Sequence, residues 1–166
     1  RALSSGSDDS RVTPHAPHKS ISSERTLAAD TRDAELLKRY LLRQSGEVAR
    51  QLRQAGVRAK TITIKIKDED FKTVTRRTSI AVPTQSSKTI YRHAARLMAD
   101  YKTTRKIRLV GVGTSGFTPV SASVQMGLFD THENTADNWE KIDTTLDSIG
   151  KKFGRDVVGR ATLKDR

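Results

Sequence analysis

Residues 61–67 read Thr-Ile-Thr-Ile-Lys-Ile-Lys, a strict alternation of isoleucine with hydroxyl or lysine side chains. A period of two is typical of a half-buried strand, with one face in a core and the other in solvent. A second strand-like run at residues 71–82 follows the acidic tripeptide 68–70 and carries several Thr, Lys and Arg residues. The two runs predict a sheet face that donates many hydrogen bonds to phosphate groups and has almost no aromatic surface for stacking. We interpret this face as a binding surface for duplex DNA.

The composition also favours a polyanionic partner. The 166 residues include 31 Lys and Arg against 19 Asp and Glu, a formal net charge of +12, which is typical of nucleic-acid-binding chains. There is no cysteine, which excludes a disulfide framework and a thiolate zinc site. No apolar run has the length of a membrane span, and no membrane partner is expected. The first residue is Arg1 rather than Met, so we expect the chain to be a piece of a longer protein.

The first half of the predicted domain consists of a strand and a helix. We expect the strand over residues 19–27. The helix is expected to begin at a cap on Asp30 or Thr31 and to end near Ala55, because apolar residues recur there with a period of 3.6. Gly56 stands where a left-handed C′ residue is expected.

The second half adds two strands, a helix and a last strand. Residues 60–82 form the strand pair, which Pro83 is expected to end. Ser86 or Ser87 caps the second helix, and residues 106–112 form the last strand. The order β-α-β-β-α-β predicts an α+β fold, with a four-stranded sheet and two helices on one face.

Three blocks in this order carry a specific resemblance. They are KSISSERT at 19–26, DFKTVTRR at 70–77 and RKIRLVGV at 105–112. Together they resemble the little finger domain of Y-family DNA polymerases of the bacterial polymerase IV type, the enzymes of translesion synthesis in DNA repair. The resemblance covers residues 1–129, of which 1–18 are similar to a thumb remnant and tether.

The resemblance implies a division of labour within a longer nucleotidyltransferase. In that family the palm domain holds the metal-binding carboxylates and transfers the nucleotide, with Mg²⁺ as the expected cofactor. The little finger grips the backbones of the primer-template duplex. We therefore expect no catalytic residue, metal site or cofactor in this chain, and we expect duplex DNA and the sliding clamp as partners in the bacterial cytoplasm, at the nucleoid.

The candidate DNA-binding residues come from the alternating strand and from the matching blocks. They are Ser22, Ser23, Arg25, Thr61, Thr63, Lys65, Arg76, Arg77, Thr78, Arg105, Lys106 and Arg108. On charge alone, each of these residues is explained equally well as a solvated strand residue. The resemblance of the three blocks favours a role in DNA binding for the group. Strand parity sends Arg76 to the apolar face, so we expect a bulge near Arg76 and Arg77 that re-aims one of them. Without a bulge, only Arg77 of the pair faces DNA.

A short motif follows the predicted domain. Residues 125–129 read QMGLF and resemble the pentapeptide by which bacterial polymerases bind the sliding clamp, a peptide anchor in an apolar groove. The candidate clamp-binding residues are Gln125, Met126, Gly127, Leu128 and Phe129. The alternative is that Leu128 and Phe129 pack back on the domain.

The tail is predicted to form an amphipathic helix over residues 138–153. Asp137 or Asn138 can cap it, and Gly154 can end it. Its apolar stripe consists of Trp139, Ile142, Leu146, Ile149 and Phe153. The stripe is expected to dock on the little finger or on other polymerase domains, and a dedicated partner is the alternative. The predicted divisions are thumb remnant and tether (1–18), little finger (19–118), linker with the clamp motif (119–137), and helix with tail (138–166).

Two other classes of function fit parts of the sequence. A freestanding RNA-binding module can share the β-α-β-β-α-β order, but such folds place aromatic residues on the central strands, where this chain offers only Phe71. A nuclease or transferase would need the carboxylates of residues 68–70 to converge on metal ions. Consecutive strand residues point to opposite faces, so a tight acidic turn explains these residues more simply.

Overall fold

The computed structural model describes residues 5–6, 18–122, 134–154 and 157–163. Within those ranges, no helix is both long and apolar enough to cross a membrane. The predicted β-α-β-β-α-β order is confirmed, and a third helix follows it. The elements are β1 (Ser20–Thr31), α1 (Ala34–Gln54), β2 (Val57–Asp68), β3 (Thr73–Thr84), α2 (Ser87–Ala99), β4 (Ile107–Pro119), α3 (Asn134–Phe153) and a 3₁₀ turn (Ala161–Leu163).

The four strands form one antiparallel sheet in the order β1-β4-β2-β3. Helices α1 and α2 cover one face, and the core lies between them and the sheet. Ile62, Ile64 and Ile66 of β2 are buried in this core, and burying each such side chain contributes about 1.5–3 kcal/mol. The fully buried helix residues packed there include Leu41, Val48, Leu52, Ile90 and Ala94. The isoleucines of the alternating stretch therefore decide which face the helices cover.

The start of α1 differs from the prediction. Its N-cap is Asp33, whose Oδ1 accepts hydrogen bonds from the backbone N–H groups of Glu35 (2.9 Å) and Leu36 (3.1 Å). The predicted caps Asp30 and Thr31 are wrong because β1 continues through them, and Thr31 pairs with Ile107 of β4.

Other boundaries are partly as predicted. Gly56 has a φ of 65° just after α1, and Ser86 caps α2 through its side chain. Pro83 does not end β3, which continues to Thr84. Strand β4 runs to Pro119 rather than to residue 112.

The last helix begins earlier than predicted. It starts at Asn134 rather than at a cap on Asp137 or Asn138, and it ends at Phe153 before Gly154, whose φ is 97°.

The predicted bulge near Arg76 and Arg77 is wrong. The pairing of β2 with β3 keeps one register from Thr61 opposite Ser79 to Lys67 opposite Thr73, and it shifts only between Ala59 and Thr61. An unbroken register alternates side chains strictly, so neighbouring residues must take opposite faces. Arg77 therefore shares a face with Thr63, while Arg76 lies opposite the buried Ile64.

Candidate nucleic-acid interface

The face of the sheet opposite α1 and α2, called the open face below, presents four cross-strand rows of side chains. In the order β1-β4-β2-β3 they are Ser20–Ser115–Thr61–Ser79, Ser22–Gly113–Thr63–Arg77, Glu24–Gly111–Lys65–Thr75 and Thr26–Leu109–Lys67–Thr73. The rows consist mainly of hydroxyl and cationic groups, and no position in them is aromatic. Such a surface carries hydrogen-bond donors and positive charge but no aromatic ring on which a base could stack. The lack of a stacking ring disfavours the RNA-recognition alternative.

Two glycines recess the middle of the open face. Gly111 and Gly113 lie on β4, between β1 and β2. A Cβ on Gly111 would stand 2.7 Å from the Cβ of Glu24, closer than such atoms can approach. The result is a shallow groove along β4, whose lining includes Ser22 and Thr63. An extended polyanionic backbone can approach closely there because β4 presents no side chain at Gly111 and Gly113.

The groove contains one neutralising contact. Lys65 Nζ lies 2.9 Å from the carboxylate of Glu24 in the same row, and both side chains are nearly half exposed. An exposed pair of this kind contributes about 0–1 kcal/mol. Lys65 can therefore exchange Glu24 for a phosphate at little cost.

The structure separates the predicted DNA-binding residues into groups. Five of them lie together on the open face, namely Ser22, Thr61, Thr63, Lys65 and Arg77. Four others alternate to the helix-covered side, namely Ser23, Arg25, Arg76 and Thr78.

Two of that second group have partners on the helix side. The Ser23 hydroxyl donates to Glu47 of α1 at 2.5 Å, and the Arg76 guanidinium lies 5.4 Å from the centre of the Tyr101 ring. Sequence reasoning did not single out Lys67, Glu24 or the two glycines as parts of the open face. The strict alternation already indicated Lys67, but the position of Glu24 depends on pairing with a strand far along the chain.

The remaining predicted residues lie near one end of the sheet. Arg105 forms an ion pair with Asp70, and Arg108 contacts Asp30 at 3.0 Å. The Lys106 N–H donates to Glu69 Oε1 at 3.1 Å. The contacts of Arg105 and Lys106 fasten the segment before β4 to the turn between β2 and β3, and the contact of Arg108 joins β4 to β1.

The acidic tripeptide forms the predicted tight turn. Asp68 is buried, and its Oδ1 accepts hydrogen bonds from the N–H groups of Asp70 (3.1 Å) and Lys72 (2.9 Å). All three acidic residues therefore accept hydrogen bonds or form ion pairs, within the turn itself or with the segment before β4. Among the described residues, no group of three or more His, Asp or Glu side chains is arranged to hold a metal ion.

Helix α3 docks beside α2 through an acidic face. Asp143 is buried and accepts hydrogen bonds from the N–H (2.8 Å) and the hydroxyl (2.7 Å) of Ser87, the first residue of α2. Arg53 of α1 lies 3.5 Å from Asp143 and 2.6 Å from Asp147. Arg58 of β2 lies 3.2 Å from Glu140. The carboxylates of α3 therefore neutralise arginines on the helix side.

The apolar stripe of α3 is only partly covered. Trp139 is half-buried and its ring lies 4.4 Å from Lys88 Nζ, whereas Ile142 is 44% exposed and Phe153 is 60% exposed. Helix α3 thus docks on the domain, with its carboxylates paired there and its apolar stripe only partly buried. The predicted clamp-binding residues, Gln125 to Phe129, lie outside the described residues.

Comparison with known proteins places this geometry in a family. Residues 18–128 match the model of the impB/mucB/samB family C-terminal domain. The chain is 35% identical over 166 residues to DNA polymerase IV of Caulobacter vibrioides, covering 99% of this chain and 40% of that protein. It is 33% identical over 163 residues to DNA polymerase IV of Desulfatibacillum aliphaticivorans, covering 98% of this chain and 41% of that protein. The chain thus spans about two-fifths of the length of these relatives.

Solved structures share the fold. The little finger domain of PolIV, solved in complex with the β-clamp processivity factor, aligns with a TM-score of 0.52 and 21% identity, covering 67% of this chain and 99% of that domain. A Y-family DNA polymerase chimera of Dbh and Dpo4 aligns with a TM-score of 0.56 and 20% identity, covering 69% of this chain and 33% of the chimera. The α+β fold is that of a little finger domain.

Proposed function

The chain belongs to the impB/mucB/samB family C-terminal domain, and on this premise we propose that its open face binds the backbone of primer-template duplex DNA without reading its sequence. The observation that carries the proposal is the set of four rows of hydroxyl and cationic side chains around a glycine-lined groove. Contacts from such groups to phosphates fix position and orientation and carry no sequence information. A polymerase that must follow any template needs this property.

The chain acts in this proposal as the gripping part of a longer translesion polymerase. Nucleotide transfer, with Mg²⁺ as its cofactor, belongs to the palm domain of that enzyme. A module that contacts about six phosphates has a salt slope near −5 in log K against log salt. We expect affinity in the micromolar range or weaker at physiological salt for the domain alone.

The test is a salt titration of binding to a blunt duplex. The double variant Lys65→Ala, Arg77→Ala removes two open-face cations and should flatten the salt slope by about two units. The matched control is Arg43→Ala, Arg96→Ala, which removes two exposed cations from the helices and should leave the slope close to that of the original chain. Equal slopes for the two double variants would refute the open face as the DNA-binding surface.

A second part of the proposal concerns the segment Gln125–Phe129. We infer that it anchors the chain to the bacterial sliding clamp, with Leu128 and Phe129 in an apolar pocket. The support is the motif itself and the fold shared with a little finger domain that was solved bound to a β-clamp. The variant Leu128→Ala, Phe129→Ala should abolish clamp binding and leave duplex binding intact. Clamp binding that survives in this variant would refute the anchor.

A further inference from the structure

Phe71 is the most exposed aromatic feature of the sheet end and has an unusual backbone. The residue is 60% exposed and has a φ of 64°. It is the one non-glycine residue with positive φ in the part of the chain that the structure describes. A bulky residue in the left-handed region is strained, and such strain concentrates at functional sites. Since burial of the ring does not offset the strain, another role is needed to explain a phenylalanine at this position.

The turn holds Phe71 in place before any ligand arrives. Its N–H donates to the carbonyl of Asp68 at 3.0 Å. The residues on either side, Asp70 and Lys72, both donate their N–H groups to Asp68 Oδ1. Three hydrogen bonds to one buried aspartate fix the backbone around the ring. The ring is therefore preorganised on a rigid turn.

Cations surround the ring. Lys67 Nζ lies 5.0 Å from the ring centre and the Arg108 guanidinium lies 4.6 Å from it. Lys67 belongs to the last row of the open face, so the ring stands at the end of that face. The backbone of Lys106 is bonded to the same turn: its carbonyl accepts from the Glu69 N–H at 3.0 Å, and its N–H donates to Glu69 Oε1 at 3.1 Å. An aromatic ring among cations is the combination by which proteins hold single-stranded nucleic acid.

We propose that Phe71 stacks on an unpaired base of a single strand that continues from the duplex held on the open face. This inference rests on the proposed function of the open face. The faces of paired bases are covered inside a duplex, so an exposed ring at the end of the surface can stack only where pairing has ended. Lys67 then meets a phosphate that flanks this base, while Arg108 stays paired with Asp30 beside the ring.

The test compares a blunt duplex with the same duplex carrying a single-stranded extension. For the full chain, the extension should raise affinity about tenfold. The gain should disappear in Phe71→Ala and return in Phe71→Trp, while affinity for the blunt duplex stays unchanged in both variants. Val82→Ala, which truncates another exposed apolar side chain of the sheet, should keep the full gain.

An abasic extension separates stacking from phosphate contacts. It retains the phosphates and lacks the bases, so it should give the original chain little of the gain.

The variant Phe71→Gly tests whether the loss is caused by misfolding. Glycine adopts positive φ without strain, so this variant should keep the thermal stability of the original chain and still lose the gain.

A spectroscopic measurement reports the stacking directly. Phe71→Trp in a Trp139→Phe background leaves one tryptophan at the site, since the chain has one tryptophan. Its emission should be quenched by the extended duplex and not by the abasic one.

Several results would overturn the inference. Equal gains from natural and abasic extensions would show that the ring does not stack on a base. An equal loss of blunt and extended binding in Phe71→Ala would show that the ring only positions the residues around it. If Lys65→Ala, Arg77→Ala leaves duplex binding unchanged, the proposed open-face function fails, and this inference fails with it. If that variant loses duplex binding while Phe71→Ala keeps the extension gain, the stacking inference alone fails.

Discussion

The open face and the helix side both carry arginine and lysine, and they differ in what those cations meet. On the helix side, Arg53 is nearly buried between Asp143 and Asp147, and Arg58 contacts Glu140. In the four rows of the open face, Glu24 is the one acidic residue. A net charge of +12 indicates a polyanionic partner but does not locate its site. Pairing with the carboxylates of α3 makes Arg53 and Arg58 unavailable to phosphates. Lys65 is paired with the nearly half-exposed Glu24, so the pattern of ion pairs favours the open face as the site.

The largest effect is expected from removing a carboxylate that pairs with the arginines of the helix side. Asp143→Ala leaves the buried Arg53 and the N–H of Ser87 without their shared acceptor. Removing one partner of a buried pair costs about 3 kcal/mol or more, so we expect α3 to detach. The emission of Trp139 should shift to longer wavelength, and the urea midpoint should fall.

Detachment should also change DNA binding. Arg53, Arg58 and Arg160, each of which now contacts an acid of α3, would face solvent and add a second cationic surface with a steeper salt slope. Asp143→Asn is the control, because it keeps the size of the side chain and an acceptor for Ser87 and should give an intermediate result. An unchanged Trp139 emission in Asp143→Ala would show that the apolar contacts alone hold α3.

The recess of the open face gives the next largest effect. Gly111→Val places a side chain where even a Cβ meets Glu24 at 2.7 Å. Overpacking of this kind costs about 2 kcal/mol, which corresponds to a fall in melting temperature of about 6 °C. The measurement is thermal unfolding followed by circular dichroism.

The control for this variant is a glycine on the helix side. Gly46 of α1 has no atom within 4 Å of its would-be Cβ, so Gly46→Ala should stabilise the domain by about 0.5–1 kcal/mol. Shifts of the same sign in the two variants would contradict the idea that the recess, rather than glycine itself, matters at Gly111.

A smaller effect follows from the acid on the open face. Glu24→Gln keeps the Cβ against Gly111 and frees Lys65 from its carboxylate partner. We expect duplex affinity to rise about threefold and the salt slope to steepen by about one unit. Glu35→Gln is the matched control, since Glu35 pairs with Lys38 at 2.7 Å on the exposed surface of α1. If the two variants raise affinity equally, net charge rather than position on the open face governs binding.

Local patterns predicted the faces of the sheet well. The alternation at 61–67 correctly assigned Ile64 to the core and Lys65 to the open face, because side-chain direction in a strand follows from parity alone. Parity also assigned Arg77 to the open face. The bulge was introduced to bring Arg76 there too, and the continuous register contradicts it.

Long-range contacts were beyond the reach of these patterns. The N-cap of α1 moved to Asp33 because β1 is extended by pairing with β4, some eighty positions later in the chain. The carboxylates of α3 contact Arg53 and Ser87, which lie in elements distant in sequence. The local pattern of α3 predicts only its apolar stripe. The sequence pattern predicts a strand from Phe71 onward, but β3 begins at Thr73. The left-handed turn at Phe71 depends on hydrogen bonds to the side chain of Asp68.

The smallest effect concerns pH and distinguishes the two sides once more. Burial in α2, and then the positive charges of Arg92 and Arg96, hold the pKa of His93 below its ordinary value of 6.5. Well above pH 6.5 the side chain is neutral in both the folded and the unfolded state. As pH falls below that value, the unfolded chain takes up a proton first, so stability decreases until the folded pKa is passed.

His93→Gln should remove this part of the pH dependence. Urea unfolding of the two proteins at pH 7 and at about pH 5.5 measures it as the difference between their changes in unfolding free energy. Because His93 lies on a helix, this step should leave the open-face cations untouched, and duplex affinity measured over the same pH range should respond equally in the two proteins. A difference in affinity that tracks His93 would mean that the helix side takes part in DNA binding, and the contrast between the two sides would then fail.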